Sequence, residues 1–241
     1  MLLKTHLATV LIGAGCAFIG GVSTSLWDHT HAIGSRAATE QVVHDYLLAH
    51  PEVLPQAMDR LHEKEADQAL SGVRGKVEKP WPGAVLGNPD GHVVLVEYTD
   101  FACGYCRRSV ADIAQLTAAN PDLKVVVHEL PILTPESRDA AKMALVAAGQ
   151  GRYAGFYQAM FAIGRPDARS ITAAAKAAGL DMPRARAALA DPRLDAEING
   201  NLEVARDLGF TGTPSWVVGN AMLSGAVGVD ELSKAIAAAR G

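Results

Sequence analysis

The sequence contains few cysteines and few aromatic residues, and it carries no large charge of either sign. Of its 241 residues, 3 are cysteine and 5% are aromatic, and 22 Lys and Arg stand against 26 Asp and Glu, giving a formal net charge of −4. A small negative charge excludes a dedicated nucleic-acid binder. The scarcity of aromatics argues against a surface that stacks bases. We therefore expect no nucleic-acid partner.

Intrinsic disorder is also excluded for most of the chain. Hydrophobic residues make up 49% of the sequence and charged residues 20%, which is enough apolar material for a sizeable core. The length allows one large domain, or one domain with an accessory module.

One long apolar run stands at the N-terminus. No formally charged residue occurs from Thr5 to Trp27, and Lys4 precedes the run. This pattern predicts an export signal. Because the run is also long enough to span a bilayer and has no clear small-x-small cleavage site, residues 1–27 are interpreted as a signal peptide or an uncleaved membrane anchor. The expected location is the periplasm.

Two helices are predicted after a spacer at 28–38. The segment 39–71 has apolar residues at helical spacing, with Thr39 as a plausible N-cap and Pro51 as the point where the first helix stops. Helices with so little apolar surface do not fold alone. They must therefore pack on the main domain or on another copy of themselves. We expect the second arrangement, a homo-oligomer, for which both a dimer and a trimer remain open. Residues 72–82, rich in Gly, Lys and Pro, are interpreted as a linker.

Residues 83–241 show an α/β pattern. Strands at 84–86 and 93–98, joined by the turn Asn88-Pro-Asp-Gly91, are predicted to pair as a hairpin. A strand, helix, strand series through 93–128 predicts a βαβ crossover. An Ala-rich segment at about 135–207 is predicted to be a helical insertion of four or five helices. A hairpin around Gly219-Asn220 and a helix from Val229 to Arg240 close the chain.

The two cysteines outside the N-terminal run form a Cys103-Gly-Tyr-Cys106 motif. The motif follows a predicted strand and opens a predicted helix, which is the context of a thioredoxin-like redox motif. The spacing brings the sulfurs within disulfide reach, and the helix N-terminus favours the thiolate of the first cysteine. We predict that Cys103 attacks and Cys106 resolves, with no cofactor beyond this redox-active pair.

Two other interpretations of the motif were weighed. Half of a zinc site is disfavoured, because there is no second C-x-x-C motif and the main domain contains only His92 and His128. An inert structural disulfide is disfavoured because so short a loop stabilises the fold little.

Three further features fit thiol chemistry. Thr213-Pro214 precedes a predicted strand, where a cis bond facing the cysteines would explain the proline, although an ordinary strand-entry proline is the alternative. Glu97 lies in a buried apolar run and could relay protons near Cys106, unless it faces solvent at a strand edge. Arg107 could reach the Cys103 thiolate, or could be a solvated surface residue.

Together these residues resemble the DsbA-like branch of the thioredoxin superfamily, over about residues 80–241. The resemblance implies a thioredoxin fold with an inserted helical domain, preceded here by the N-terminal helical segment. It implies that Cys103 is the exposed nucleophile, Cys106 its buried partner, Glu97 the buried acid, and Thr213-Pro214 a cis bond beside the substrate.

The upstream segment Val43-His-Asp-Tyr-Leu-Leu-Ala-His-Pro-Glu-Val-Leu54 is similar to the N-terminal region of suppressor of copper sensitivity protein C (ScsC) and the related Com1-type proteins. In that family such helices promote oligomerisation. Gly104-Tyr105 between the cysteines, with Thr213 before the proline, resembles the disulfide isomerase DsbC and ScsC. The Pro-His dipeptide of the strong oxidase DsbA is absent, so the resemblance implies a milder oxidant.

Three functions follow as hypotheses. The first is an oligomeric periplasmic disulfide isomerase or reductase that acts on exported cysteine-containing clients. The second is a DsbA-type dithiol oxidase, and both would need a membrane redox partner that resets the disulfide. The third is a Cu(I)-handling protein that uses the two soft thiols.

Overall fold

The computed structural model describes residues 36–240. The predicted export signal at 1–27 and most of the predicted spacer at 28–38 lie outside the described residues. The chain divides into two units between Arg60 and Leu61. A search of the described part found no helix with the length and apolar character that a membrane span requires.

Helix α1 covers 36–49 of the described part, and helix α2 covers Val53–Leu70. The chain is already helical at 36, so Thr39 is not the N-cap, and the end of the predicted spacer is helical. An ion pair one helical turn apart, between Arg36 and Glu40, supports this earlier turn. Helix α1 ends before Pro51 as predicted, because proline cannot continue a helix.

Both N-terminal helices expose large apolar side chains. Val43 and Tyr46 on α1 and Leu54 and Met58 on α2 are each at least half exposed. The Tyr46 ring lies 4.6 Å from that of His50, one helical turn later on the same side of α1. Exposed apolar residues at helical spacing are the surface that self-association would cover.

The interpretation of 72–82 as a linker is wrong where the chain forms helix α3, Arg74–Val77. Leu70 and Val77 are fully buried in an apolar cluster of the main unit. His128 Nε2 lies 2.8 Å from the Val77 carbonyl oxygen, and Arg74 donates to the Gly219 carbonyl. The main unit therefore already includes the end of α2 and helix α3, both of which precede the end of the predicted linker.

Replacing Leu70 with alanine is expected to lower the free energy of unfolding by about 2–5 kcal/mol, because it leaves a cavity under the sheet. The measurement is chemical denaturation followed by circular dichroism. The matched control is Ile163→Ala, at a residue that is nearly half exposed, where a much smaller loss is expected. Equal losses in the two variants would contradict the packing of α2 on the main unit.

The described residues contain one five-stranded sheet, in the order β1-β3-β2-β4-β5. The strands are β1 Val85–Gly87, β2 Val93–Thr99, β3 Leu123–Glu129, β4 Ser215–Val218 and β5 Ala221–Ser224. Strands β2 and β3 are parallel neighbours connected by helix α4, Gly104–Ala119, which confirms the predicted βαβ unit. Strands β4 and β5 form the predicted closing hairpin.

The predicted hairpin between the first two strands is wrong. Strand β1 pairs antiparallel with β3 and not with β2. The turn after β1 crosses the start of β3, where Asn88 donates its backbone N–H to Leu123 and its side-chain amide to Pro121. A Cβ atom at Gly91 would lie 2.5 Å from the Asp122 carbonyl oxygen, so this close crossing requires glycine. Contacts between the turn after β1 and the residues at the start of β3 therefore determine the partner of β1.

Five helices form the predicted insertion between β3 and β4. They are α5 Pro135–Gly149, α6 Tyr153–Ile163, α7 Ala168–Ala177, α8 Met182–Ala188 and α9 Pro192–Asp207. Four of them, α5, α7, α8 and α9, begin at N-cap residues whose side chains accept backbone N–H bonds, namely Thr134, Asp167, Asp181 and Asp191. The last helix, α10, covers Val229–Ala239.

Alternation along β2 decides which residues reach the site. Leu95 belongs to the cluster on one face of the sheet, whereas Val96 and Tyr98 belong to the cluster on the other. Because side chains alternate along a strand, Glu97 and Thr99 share the face of Leu95. This places the carboxyl group of Glu97 on the side of the sheet where helix α4, which begins at the cysteines, and helix α6 pack.

Candidate active site

Cys103 is the N-cap residue of helix α4. Its backbone is extended, with φ −82° and ψ 118°, and its sulfur accepts a hydrogen bond from the backbone N–H of Cys106 over 3.5 Å. The Cys103 N–H donates to the Asp100 carbonyl, which fixes the turn between β2 and α4. The first thiol therefore lies at the positive end of the helix, where a thiolate is stabilised.

Cys106 is buried, as the resemblance implies, but Cys103, which the resemblance implies to be exposed, is nearly buried as well. Cys103 is 5% exposed and Cys106 is fully buried, and both are free thiols. In its thiol form the Cys103 sulfur donates to the Thr213 carbonyl oxygen over 3.1 Å. The nucleophile that was expected to be exposed is therefore largely covered and lies against Thr213.

The peptide bond between Thr213 and Pro214 is cis. It precedes β4, whose residues Ser215 to Val218 pair with β2. The Ser215 hydroxyl donates to the Gly212 carbonyl over 2.8 Å and braces this turn. The segment therefore faces the first cysteine, as the sequence pattern suggests.

Glu97 is fully buried, which rules out a solvent-facing strand edge. Its Oε2 atom accepts a hydrogen bond of 2.8 Å from the Tyr157 hydroxyl on α6. Its Oε1 atom has no protein hydrogen-bond partner. The charge of Glu97 acts on Cys106, so the carboxyl group lies close enough to that thiol to affect its protonation.

The environment lowers the pKa of Cys103 from 9.0 to about 5. The largest cause is the hydrogen bond from the Cys106 side chain, and Thr213 and the backbone N–H groups of Cys106 and Tyr105 contribute further. Burial opposes these contacts but does not outweigh them. Cys103 is therefore a thiolate at neutral pH.

Burial has the opposite effect on the two neighbouring groups. It raises the pKa of Cys106 well above its usual value, and the hydrogen bond to Cys103 and the charge of Glu97 add to this increase. Burial also raises the pKa of Glu97 from 4.5 to about 8, against the hydrogen bond from Tyr157. At neutral pH the site therefore holds one anion, on Cys103, and two protonated groups.

The alkylation rate of the reduced protein by iodoacetamide is expected to rise with a midpoint near pH 5, because only the Cys103 thiolate reacts. The same group makes the folding stability of the reduced protein depend on pH. Since its pKa is lowered by folding, its contribution is present above pH 9 and is lost as the pH falls through about 5. An alkylation midpoint near pH 9 would contradict this assignment, and Cys103→Ser, which should remove the reaction at neutral pH, assigns it to the first thiol.

The sequence indicated a possible contact between Arg107 and the thiolate, but the structure does not place it there. Arg107 is exposed, and its guanidinium lies beside Gly164 at the end of α6. The groups that lower the pKa of Cys103 are its own helix N-terminus, Cys106 and Thr213.

A second buried acid was missed by the sequence analysis. Glu129, at the end of β3, is buried and accepts a 2.8 Å hydrogen bond from Tyr153, one helical turn before Tyr157 on α6. Burial raises its pKa well above 4.5, and the charge of Glu97 raises it further. The reasoning that identified Glu97, a carboxylate in an apolar strand, would have identified Glu129 as well.

Asp100 was also missed. Its buried carboxylate accepts three backbone N–H bonds, from Ala102 over 2.8 Å and from Ile132 and Leu133 over 2.9 Å each. No local pattern indicates the two longer-range bonds, since they join residues more than thirty positions apart.

Two family models match this chain. A DsbA-like thioredoxin domain matches residues 94–237. The N-terminal domain of copper resistance protein ScsC matches residues 36–68. The first match contains both cysteines, Glu97 and Pro214, and the second contains most of α1 and α2.

Solved structures show the same relationship. A thioredoxin-like oxidoreductase from Silicibacter pomeroyi is 38% identical, with 65% of this chain and 91% of that chain covered and a TM-score of 0.62. The thiol-disulfide exchange protein α-DsbA2 from Wolbachia pipientis is 26% identical, with 76% and 97% covered and a TM-score of 0.67. ScsC from Proteus mirabilis is 28% identical, with 86% and 97% covered and a TM-score of 0.65.

Curated relatives are much longer than this chain. A Na⁺/H⁺ antiporter NhaA from Herminiimonas arsenicoxydans is 30% identical over 186 residues, which are 76% of this chain but 30% of the antiporter. In a Salinispora arenicola antiporter the match is 28% identical and spans 64% of this chain and 24% of that protein. Such matches relate this chain to a part of those proteins. On its fold, on its site and on the 94–237 match, the chain belongs to the DsbA-like thioredoxin family, with an N-terminal segment like that of ScsC.

Proposed function

We propose that this protein is a periplasmic thiol:disulfide oxidoreductase that reduces and isomerises disulfides of exported proteins through Cys103 and Cys106. The observation that carries the proposal is the Cys103 sulfur at the N-terminus of α4, with its pKa lowered to about 5 beside a protonated Cys106. A stable thiolate next to a reserve thiol is the arrangement that thiol–disulfide exchange requires.

The reaction begins with the Cys103 thiolate. It attacks one sulfur of a client disulfide, a new S–S bond forms, and the other client sulfur leaves as a thiolate. Cys106 then attacks the Cys103 sulfur and releases the second client sulfur, which oxidises the protein pair and reduces the client by two electrons. In isomerisation a different client thiolate attacks the client sulfur of the mixed disulfide, a new S–S bond forms within the client, and Cys103 leaves as a thiolate, so the protein pair stays reduced.

Glu97 provides the proton acceptor for Cys106. Burial is the main cause that raises the pKa of Glu97, and the negative charge of Cys103 raises it further. When Cys103 enters a mixed disulfide this charge is lost, so the pKa of Glu97 falls and the carboxylate can take the Cys106 proton. The hydrogen bond from Tyr157 orients the carboxyl group and stabilises its charged form. The proton therefore moves at the step where Cys106 must become a nucleophile.

Isomerase or reductase activity is favoured over oxidase activity by the two residues between the cysteines. Gly104 and Tyr105 add no cation to the Cys103 environment, and the Tyr105 ring lies under the Arg108 guanidinium at 4.5 Å. A milder potential suits isomerisation, and the exposed apolar face of α1 and α2 suits an oligomer with several sites on one particle. Cysteine-containing exported clients and a membrane redox partner complete the proposal.

The test is the equilibrium of the Cys103–Cys106 pair with glutathione, together with the refolding of scrambled ribonuclease. We expect a potential below roughly −200 mV and recovery of ribonuclease activity. A potential near −120 mV without isomerisation would identify a DsbA-type oxidase instead. The absence of any exchange with glutathione would contradict both functions.

A further inference from the structure

The Asp100 carboxylate connects two segments that are far apart in sequence. Its Oδ1 atom accepts the N–H of Ala102, the residue before Cys103, and its Oδ2 atom accepts the N–H groups of Ile132 and Leu133. The side chain is 1% exposed. One buried carboxylate therefore connects the loop after β3 to the turn that carries the nucleophile.

The loop depends on this carboxylate at its centre. At one end Leu130 donates its N–H to the Thr99 carbonyl, and at the other Thr134 caps helix α5. Between them Pro131 has no N–H to donate, and the N–H groups of the next two residues both bind Asp100. The ends of the loop are held by the sheet and the helix, and its middle is held by one side chain.

The middle of the loop presents two large apolar side chains to solvent. Ile132 is 42% exposed and Leu133 is 49% exposed. Tyr105, in the motif itself, is also exposed. Exposed apolar side chains that lie together commonly mark a binding surface. The Asp100 carboxylate connects this pair to Ala102, the residue before Cys103, which places it near the nucleophile. A polypeptide disulfide has apolar residues that such a surface can bind, whereas glutathione has none.

We propose that Asp100 is a positioning residue that holds the 131–133 loop beside Cys103, so that Ile132 and Leu133 contact apolar residues next to the cysteine of a polypeptide substrate. The inference rests on the proposed function and names the substrate class of the same site. It assigns Asp100 an effect on the affinity for polypeptides, acting through the loop, and not a chemical step at the sulfurs.

The experiment compares two disulfide probes in single-turnover reduction by the reduced full chain. One probe is glutathione disulfide, and the other is a peptide whose single cysteine is flanked by leucines and joined to glutathione. In each reaction Cys103 attacks, glutathione leaves as a thiolate, and Cys106 then releases the second product. The rate is measured against probe concentration, so that the half-saturation constant and the limiting rate are separated.

We expect Asp100→Ala to raise the half-saturation constant for the peptide about tenfold, and by more than it changes the reaction with glutathione disulfide. A double variant, Ile132→Ser with Leu133→Ser, keeps the carboxylate and its backbone bonds. It should produce the same increase and should change the rate with glutathione disulfide less than about twofold. It keeps the proposal testable if Asp100→Ala does not fold. Asp181→Ala, which removes an N-cap carboxylate from α8 in the insertion, is the matched control and should not change the preference between probes.

The outcomes distinguish a failure of this inference from a failure of the proposed function. An unchanged constant for the peptide in the double serine variant would overturn the inference, because the loop would not contact the substrate. Equal losses with both probes in Asp100→Ala would assign that residue to the thiol chemistry or the fold alone. A wild-type protein that reduces neither probe would overturn the proposed function itself.

Discussion

Replacing Cys103 with serine is expected to abolish disulfide exchange, with a loss of at least about a thousandfold in rate. A serine hydroxyl is not ionised at neutral pH, whereas the environment keeps the Cys103 thiolate formed down to about pH 5. Within residues 36–240 no second thiol can take its place, because Cys106 is fully buried and its pKa is raised. The measurement is reduction of insulin by the full chain in the presence of a thiol reductant.

Cys106→Ala gives the matched variant. It keeps the nucleophile but removes the group that resolves the mixed disulfide, so covalent complexes with clients should accumulate and be visible on non-reducing gels. The largest cause of the low Cys103 pKa is the Cys106 side chain, so the variant should also raise the pKa of the remaining thiol. Exchange in Cys103→Ser at the wild-type rate, or the absence of trapped complexes with Cys106→Ala, would contradict the assigned roles.

The chemical centre could be predicted because its signals are local. A C-x-x-C motif that follows a strand and opens a helix fixes the positions of Cys103 and Cys106 relative to the helix dipole, whatever the rest of the chain does. Glu97 and Pro214 were identified in the same way, by a carboxylate within an apolar strand and a proline before one. The contacts that complete the site, from Tyr157 and Asp100, depend on which elements pack together, and a single sequence does not encode that locally.

Two errors in the predicted fold share one physical cause. The strand predicted at 84–86 is followed by residues typical of a turn, so the sequence predicts a hairpin with β2. The strand pairs instead with β3, and the close approach of the two segments requires glycine at position 91. Residues 72–82 contain the glycine, lysine and proline of a linker, yet Val77 is fully buried. In both segments a tertiary contact outweighed local propensity.

The buried residues of α2 and α3 decide where the chain can be cut to test the role of the N-terminal helices. A fragment that begins near Trp81 would lack Leu70 and Val77, both fully buried in the main unit, and it would fail for reasons unrelated to assembly. A fragment that begins at Leu61, where the second unit starts, keeps both residues and removes the exposed face of α1. It is therefore the appropriate test of the oligomer.

We expect the full chain to be an oligomer by light scattering and the fragment from Leu61 to be a monomer. Isomerisation of scrambled ribonuclease should fall by about tenfold or more in the fragment, because several sites on one particle raise the effective concentration of thiols around one client. Exchange with glutathione should remain within about twofold of the full chain, since every residue that contacts Cys103 lies after Leu61.

A point variant in the full chain distinguishes loss of assembly from loss of residues. Val43→Asp with Met58→Asp places charges on the exposed apolar face and keeps every residue of the main unit. Burying these charges between chains would be costly, so the variant should also be a monomer and should match the fragment in both assays. If the full chain itself is a monomer, the face of α1 and α2 does not mediate self-association. If the monomeric variants isomerise ribonuclease as well as the full chain, a single Cys103–Cys106 pair is sufficient, and the dipeptide between the cysteines alone determines the activity.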